Sequence, residues 1–251
     1  MGDAWMPAAG YVRASADGGQ MKGGAPRVVW MTLGADPQLI SAHSAAERLN
    51  QLGRPPHLVW NPVTGEVVQL IPVVRAALGL TAMPGLDTEP AAGGHAAGPL
   101  AAEPTDGSSA VHTEGRLCIQ LGVLGYGWAP FTAGPLTRLE ALLEWLGSWG
   151  VSRRWPAGCP APFGLAHTSV RSRRLWALGG HFGASQVPCC AAAGPGAIDI
   201  ERLTGVAGSQ PARVPLARAA GPDYRPRPAR MSQMDHVHAE GQQAGALAGV
   251  G

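Results

Sequence analysis

The sequence predicts one α/β domain, and three observations support this prediction. Short β-branched runs alternate with segments that have the three- and four-residue apolar spacing of amphipathic helices. Turn-forming glycine and proline are abundant, 36 and 23 of 251 residues, and occur between these segments. The length suits one domain with extensions better than two full domains, and it is sufficient to bury an apolar core. We therefore place the domain at residues 27–205.

The first half of the domain is predicted to contain a strand, a helix and a hairpin. Residues 27–33, RVVWMTL, form a short apolar run typical of a buried strand. Residues 41–53 have helical spacing, with Ser41 as a candidate N-cap and Gly53 as a candidate stop. The turn formers of NPVTG at 61–65 separate two apolar runs and predict a hairpin.

The second half is predicted to contain a strand at 115–125 and a long helix at 135–150. Thr132 or Gly134 is the candidate cap for this helix, and Gly150 would end it. A proline- and arginine-rich loop follows at 151–175. An irregular loop then leads into a short final helix, with Asp199 in PGAIDIERL as its predicted cap.

Three segments lack hydrophobic periodicity. We expect residues 1–26 to be a flexible N-terminal arm, residues 81–110 a mobile insertion loop and residues 206–251 a disordered tail. Two of these segments therefore flank the predicted domain, and the third interrupts it.

Composition and charge exclude several classes of protein. The formal net charge of +2 does not indicate a dedicated nucleic-acid binder. No stretch approaches the roughly 18 apolar residues of a membrane span. The start of the sequence lacks the cationic and apolar regions of a secretory signal, so a cytoplasmic location is expected, with non-classical export left open. Four cysteines without a CxxC pair do not describe a disulfide scaffold.

Three segments together carry a family resemblance. They are VVWMT at 28–32, PHL to QLIP at 56–72 around the NPVTG turn, and GHFGASQVP followed by PGAIDI at 180–200. In this order they resemble the zinc-dependent N-acetylmuramoyl-L-alanine amidases and peptidoglycan recognition proteins of actinobacterial type. The resemblance covers residues 27–205. It implies a central mixed β-sheet flanked by helices, with peptidoglycan as the ligand.

The resemblance also implies where a zinc ion would be held. The three family ligand positions hold Met31, Ala184 and Ala192 in this sequence. Alanine has no donor atom, and the neutral thioether of methionine is a poor partner for Zn²⁺. We therefore expect no cofactor, and a degenerate amidase-like domain that binds peptidoglycan fragments such as muramyl peptides without hydrolysing them.

Two other functions stay open. An active amidase would cleave the lactyl–L-alanine amide bond with zinc-bound water, using relocated ligands drawn from His57, His181, Cys189 and Cys190. His181 and Cys189 lie eight residues apart, which is the spacing between the family's last two ligands. A fold that has lost catalysis could instead serve a structural or protein-interaction role. No motif in the sequence identifies such a role.

A ligand groove, if retained, is expected to be lined by six residues. Arginine binds carboxylates bidentately, so the arginine-rich loop is a candidate wall for an anionic group, although a solvated loop is the alternative. His57 and His181 are also compatible with purely structural roles. The predicted groove residues are Thr32, His57, Gln69, His181, Arg171 and Arg173.

Overall fold

The computed structural model describes residues 2–21, 23–78, 80, 86, 118–188, 190 and 192–205. Its strands form one mixed sheet in the order β1-β4-β3-β5-β2-β6. Strands β3 and β4 pair antiparallel and the other neighbouring strands pair in parallel. The strands are β1 Gly10–Tyr11, β2 Arg27–Thr32, β3 Leu58–Trp60, β4 Val67–Gln69, β5 Ile119–Val123 and β6 Gly180–Gly183. The helices are α1 Ala42–Gln51, α2 Leu139–Ser148, α3 Arg173–Trp176 and α4 Ile200–Thr204.

This sheet with its helices confirms the predicted α/β class. The apolar runs became strands because both faces of the sheet are covered, as continuous apolar patterns require. The NPVTG hairpin is also confirmed. The Asn61 side chain accepts hydrogen bonds from the backbone N–H groups of Val63 and Thr64, and Gly65 takes the positive φ of 78° that closes the turn.

Side chains alternate between the two faces of the sheet. Trp30, Leu58 and Leu121 lie in register and pack in one cluster with the leucines of α2, which defines the α2 face. Val59 and Val68 point the other way and pack against the alanines of α1, which defines the α1 face. Among the described residues, the α2 face therefore carries one apolar cluster and the opposite face carries two, one against α1 and one around Met31 and Phe182.

Helix α1 agrees with its prediction. The Ser41 hydroxyl accepts a hydrogen bond of 3.0 Å from the Ser44 N–H, and Gly53 has a φ of 68° just beyond the end of the helix. Helix α2 begins later than predicted, at Leu139. Neither predicted residue caps it: Arg138, in the left-handed region with a φ of 72°, precedes the helix. The Thr132 hydroxyl instead accepts a hydrogen bond from the Asp199 N–H.

The N-terminal segment corrects the prediction of a flexible arm over residues 1–26. Strand β1 pairs with β4 at the edge of the sheet, and Met6 is buried in the core of the α2 face. The Gln69 side chain accepts a hydrogen bond of 2.6 Å from the Met6 N–H and donates one of 2.9 Å to the Ala4 carbonyl. The segment carries no periodicity because only a few of its residues are anchored, each by a distant partner.

The segment before the last helix contains a strand where a loop was predicted. Strand β6 pairs in parallel with β2, and its glycines allow close packing. A Cβ at Gly183 would lie 2.6 Å from the Pro195 ring. The final helix α4 is confirmed, because the Asp199 carboxylate accepts a hydrogen bond of 2.9 Å from the Arg202 N–H.

The predicted mobile insertion at 81–110 falls outside the described residues except for Leu86. Leu86 is buried and its N–H donates to the Leu33 carbonyl at 3.1 Å. The predicted tail at 206–251 lies wholly outside the described residues. Within the part of the chain that the structure describes, no helix is both long and apolar enough to cross a membrane.

Candidate functional site

The sheet has one edge at which a ligand site is expected on topological grounds. Strands β5, β2 and β6 are adjacent and parallel, so they end together at Val123, Thr32 and Gly183, which defines the carboxyl edge. The chain leaves β2 for a helix on the α1 face and leaves β5 for a helix on the α2 face. Connections that diverge in this way open a crevice at the carboxyl ends of neighbouring strands, where open α/β sheets bind ligands.

The carboxyl edge is built from the ends of three strands and a following loop. Thr32 is partly exposed there. Its hydroxyl lies 3.4 Å from the position that a Cβ on Gly194 would take. Just after β6, the carbonyl of Ser185 accepts a hydrogen bond of 2.8 Å from Nε of Arg171. Of the six predicted groove residues, Thr32 and Arg171 therefore lie at this edge.

The three positions of the implied zinc ligands belong to one buried cluster. Met31, Ala184 and Ala192 are 5%, 1% and 3% exposed and pack together with Val29, Phe182 and Val187. The register explains part of this convergence, because Trp30 pairs with Gly183 and the next residues are Met31 and Ala184. The three positions themselves hold only methyl groups and a thioether, although the same cluster also contains the thiols of Cys118 and Cys190. The residues at the three positions do not fit a zinc ion.

His57 does not line a groove, which corrects the prediction for this residue. It is fully buried, and its backbone N–H donates to the Gln120 carbonyl. Its Nδ1 accepts the Gln120 N–H at 3.0 Å and its Nε2 donates to the Arg75 carbonyl at 2.8 Å. Burial lowers the pKa of His57 from 6.5 to about 4, although the bond to Arg75 opposes this shift. The ring is a neutral structural group that takes part in the hydrogen bonding of the sheet.

His181 is also a core residue and not a groove residue. It lies on the α2 face, 1% exposed, between the rings of Trp30 and Trp155. Its Nδ1 accepts a hydrogen bond of 3.0 Å from the Trp30 indole N–H. Burial lowers its pKa from 6.5 to about 3, and the positive charge of Arg153 adds to the shift.

Gln69 is the third predicted groove residue that the structure assigns to the interior. Its amide holds the N-terminal segment and also donates to the Ile71 carbonyl at 3.0 Å. Gln69 lies on β4 and His181 on β6, four strand spacings apart, or about 19 Å. The structure therefore does not bring Gln69 together with His181, whereas His57 lies across the β3–β4 pair, where its carbonyl accepts a hydrogen bond of 2.9 Å from the Leu70 N–H.

The predicted arginines lie on the surface. Arg171 is exposed and is anchored through its Nε, whereas Arg173 is exposed and begins helix α3. Arg171 is close enough to Cys190 to favour its thiolate, but burial outweighs this effect and raises the pKa of the Cys190 thiol. Cys190 is therefore a neutral thiol, and its Sγ lies 3.4 Å from the Leu80 carbonyl.

The relocated zinc site is not assembled from the two histidines. His57 precedes β3 and His181 lies on β6, three strand spacings or about 14 Å apart, and both rings are hydrogen-bonded to other groups. Cys189 lies outside the described residues. Among the residues that the structure does describe, no three His, Cys, Asp or Glu side chains are grouped closely enough to hold a metal ion.

Sequence reasoning missed the aromatic residues at the carboxyl edge. Tyr126 and Trp128 follow β5 directly, and Phe163 lies against the backbone of Gly127. Trp128 and Phe163 are 65% and 63% exposed. The available signal was the sequence GYGW at the end of a predicted strand, where loop residues reach the ligand crevice.

Comparison of the chain with protein-family models, with curated proteins and with solved structures finds no match.

Proposed function

We propose that this chain is an amidase-like domain, of the fold type shared by N-acetylmuramoyl-L-alanine amidases and peptidoglycan recognition proteins, that binds peptidoglycan fragments without hydrolysing them. One observation carries the proposal. The three positions at which the resemblance expects zinc ligands belong to one buried cluster, and none of them has a donor suited to zinc.

The convergence supports the resemblance because nothing local demands it. Met31 lies more than 150 residues before the other two positions, and Ala184 and Ala192 are separated by a loop. The three were selected by motif spacing alone. A shared fold places such positions in the same part of the core, whereas an accidental match in spacing need not.

The same cluster supports the loss of hydrolysis. Zinc-bound water is the nucleophile of the family reaction, and a catalytic zinc needs three protein ligands. A thioether and two methyl groups replace them. Restoring the ion would require donors at three buried positions together.

The carboxyl edge is the proposed ligand site. Thr32 offers a hydroxyl there, and the exposed guanidinium of Arg171 suits the carboxylate of a peptide stem. The bond from its Nε to Ser185 fixes the side chain, which reduces the ordering cost of binding.

The proposal is tested by titrating muramyl dipeptide into the full chain and measuring heat and tryptophan fluorescence. We expect saturable binding that Arg171→Ala weakens by about tenfold, the loss typical of one charged hydrogen bond. Arg13→Ala, an exposed arginine beside β1, is the matched control and should bind as the unchanged chain does. Absence of saturation at millimolar ligand would refute the binding function.

Hydrolysis is tested separately. The chain is incubated with muropeptides, with and without added Zn²⁺, and the products are analysed by mass spectrometry. We expect intact ligand under both conditions. Cleavage of the lactyl–L-alanine bond together with one tightly held zinc per chain would overturn the non-hydrolytic assignment.

A further inference from the structure

A cluster of exposed aromatic rings lies beside the proposed ligand site. We call Tyr126, Trp128 and Phe163 the aromatic platform. The rings of Tyr126 and Trp128 are stacked, with centroids 4.9 Å apart and planes 21° apart. Trp128 is nevertheless 65% exposed, so the stack leaves a broad aromatic surface in solvent. Large aromatic side chains contribute most to stability when buried, and a cluster left exposed is a mark of binding.

The loop that carries the platform is closely packed from two sides. On one side a Cβ on Gly127 would lie 2.8 Å from the Phe163 ring, so this ring packs against the backbone of the loop. On the other side Gly196 packs so closely that its own Cβ would overlap the Gly127 carbonyl oxygen. The Ala129 N–H donates a hydrogen bond of 3.3 Å to the Tyr126 carbonyl and closes the turn that carries both stacked rings. These contacts hold the backbone of the loop that carries Tyr126 and Trp128.

The platform is continuous with the carboxyl edge. The loop that contacts Thr32 at Gly194 contacts Gly127 two residues later, at Gly196. Thr32 and the loop that carries the aromatic platform therefore contact the same short segment, residues 194–196. Arg171 lies at the end of the neighbouring strand β6, through its bond to Ser185.

We propose that the aromatic platform binds the apolar face of an N-acetylated amino-sugar ring. This inference rests on the proposed function and assigns the glycan part of the ligand to the platform. The negatively charged face of an aromatic ring attracts the weakly positive C–H groups on one side of a pyranose. A stacked pair also presents a flat surface that matches the flat side of the sugar.

The size of the platform favours a sugar over a protein partner. Stable protein interfaces bury about 800 Å² on each side, with 20–30 residues. Three side chains of which two are about two-thirds exposed present far less than this area. One or two sugar rings match the surface that is available.

The test uses a trimer of N-acetylglucosamine, which contains no peptide, titrated into the full chain and followed by calorimetry. We expect saturable binding that Trp128→Ala weakens at least tenfold and that Trp128→Phe largely retains. Trp5→Ala is the matched control, because Trp5 is 38% exposed and also contacts a tyrosine, Tyr11, on the N-terminal segment. The control should bind like the unchanged chain. Unfolding curves of the two Trp128 variants should superimpose on that of the unchanged chain, since the Trp128 indole is largely exposed.

Muramyl dipeptide separates failure of the platform from failure of the proposed function. If the unchanged chain binds this ligand but not the sugar trimer, or if Trp128→Ala binds both without loss, the platform assignment is wrong and the function stands. If the trimer binds through Trp128 but muramyl dipeptide binds no better and Arg171→Ala has no effect, the platform stands and muramyl-peptide recognition is wrong.

Discussion

Two buried histidines are expected to make the stability of this chain fall in mild acid. In the folded chain the pKa of His57 is lowered to about 4 and that of His181 to about 3, in both cases mainly by burial. In the unfolded chain both rings take up protons near the ordinary pKa of 6.5. Between these values the unfolded state binds more protons, so the free energy of unfolding decreases as the pH falls below 6.5. At higher pH both rings are neutral in both states and contribute no slope.

The magnitude follows from the linkage relation. Between pH 7.5 and 5.5, each ring is expected to cost about 1.3 kcal/mol of unfolding free energy, and both together about 2.6 kcal/mol. The lower limit of pH 5.5 is chosen because Asp and Glu side chains are still largely ionised there in the unfolded chain. The loss is large beside a typical total stability of about 5–15 kcal/mol.

The assay is urea unfolding of the full chain at pH 7.5 and pH 5.5, followed by tryptophan fluorescence. His181→Asn keeps an acceptor for the Trp30 indole N–H but cannot titrate, so its loss between the two pH values should be about half that of the unchanged chain. Phe182→Leu is the control: it weakens the core next to His181 and should lower stability equally at both pH values. An equal loss in His181→Asn and in the unchanged chain would refute the linkage argument.

Three further substitutions test how the fold is held together. Gln69→Ala leaves the buried Met6 N–H without its acceptor and should cost about 1–3 kcal/mol, measured by urea unfolding, with faster amide exchange at Met6. Gly196→Ala places a methyl group against the Gly127 carbonyl at a φ of 86°, and should lower the melting temperature by far more than a surface substitution does. Asp199→Ala removes the cap of α4 and should cost about 1 kcal/mol by the same unfolding assay, so that no measurable change would contradict the capping role.

The sequence was sufficient for elements whose signals act within a few residues. The β2 run, the Ser41 cap of α1, the NPVTG turn and the Asp199 cap each depend on neighbours close in the chain. The start of α2 was wrong because the Thr132 hydroxyl, a plausible local cap, is bound to the distant Asp199 N–H.

The chemistry of the candidate site could be predicted only in part. The absence of zinc donors at Met31, Ala184 and Ala192 is visible in residue types alone. Whether His57 and His181 face solvent is not, because each depends on partners brought in from other strands. Their place in the segments that carry the family resemblance made them candidates, and their burial removed them from the candidate site.

What the sequence determined by itself was the local chain path: where strands run, where helices are capped and which positions lack metal donors. The tertiary structure alone decided that the N-terminal segment completes the sheet, that β6 is a strand, and that the exposed aromatic rings lie beside the carboxyl edge. The physical reason is the range of the interactions. Caps and turns are satisfied within about four residues, whereas burial, sheet pairing and the pKa of a core histidine depend on groups up to about 150 residues away.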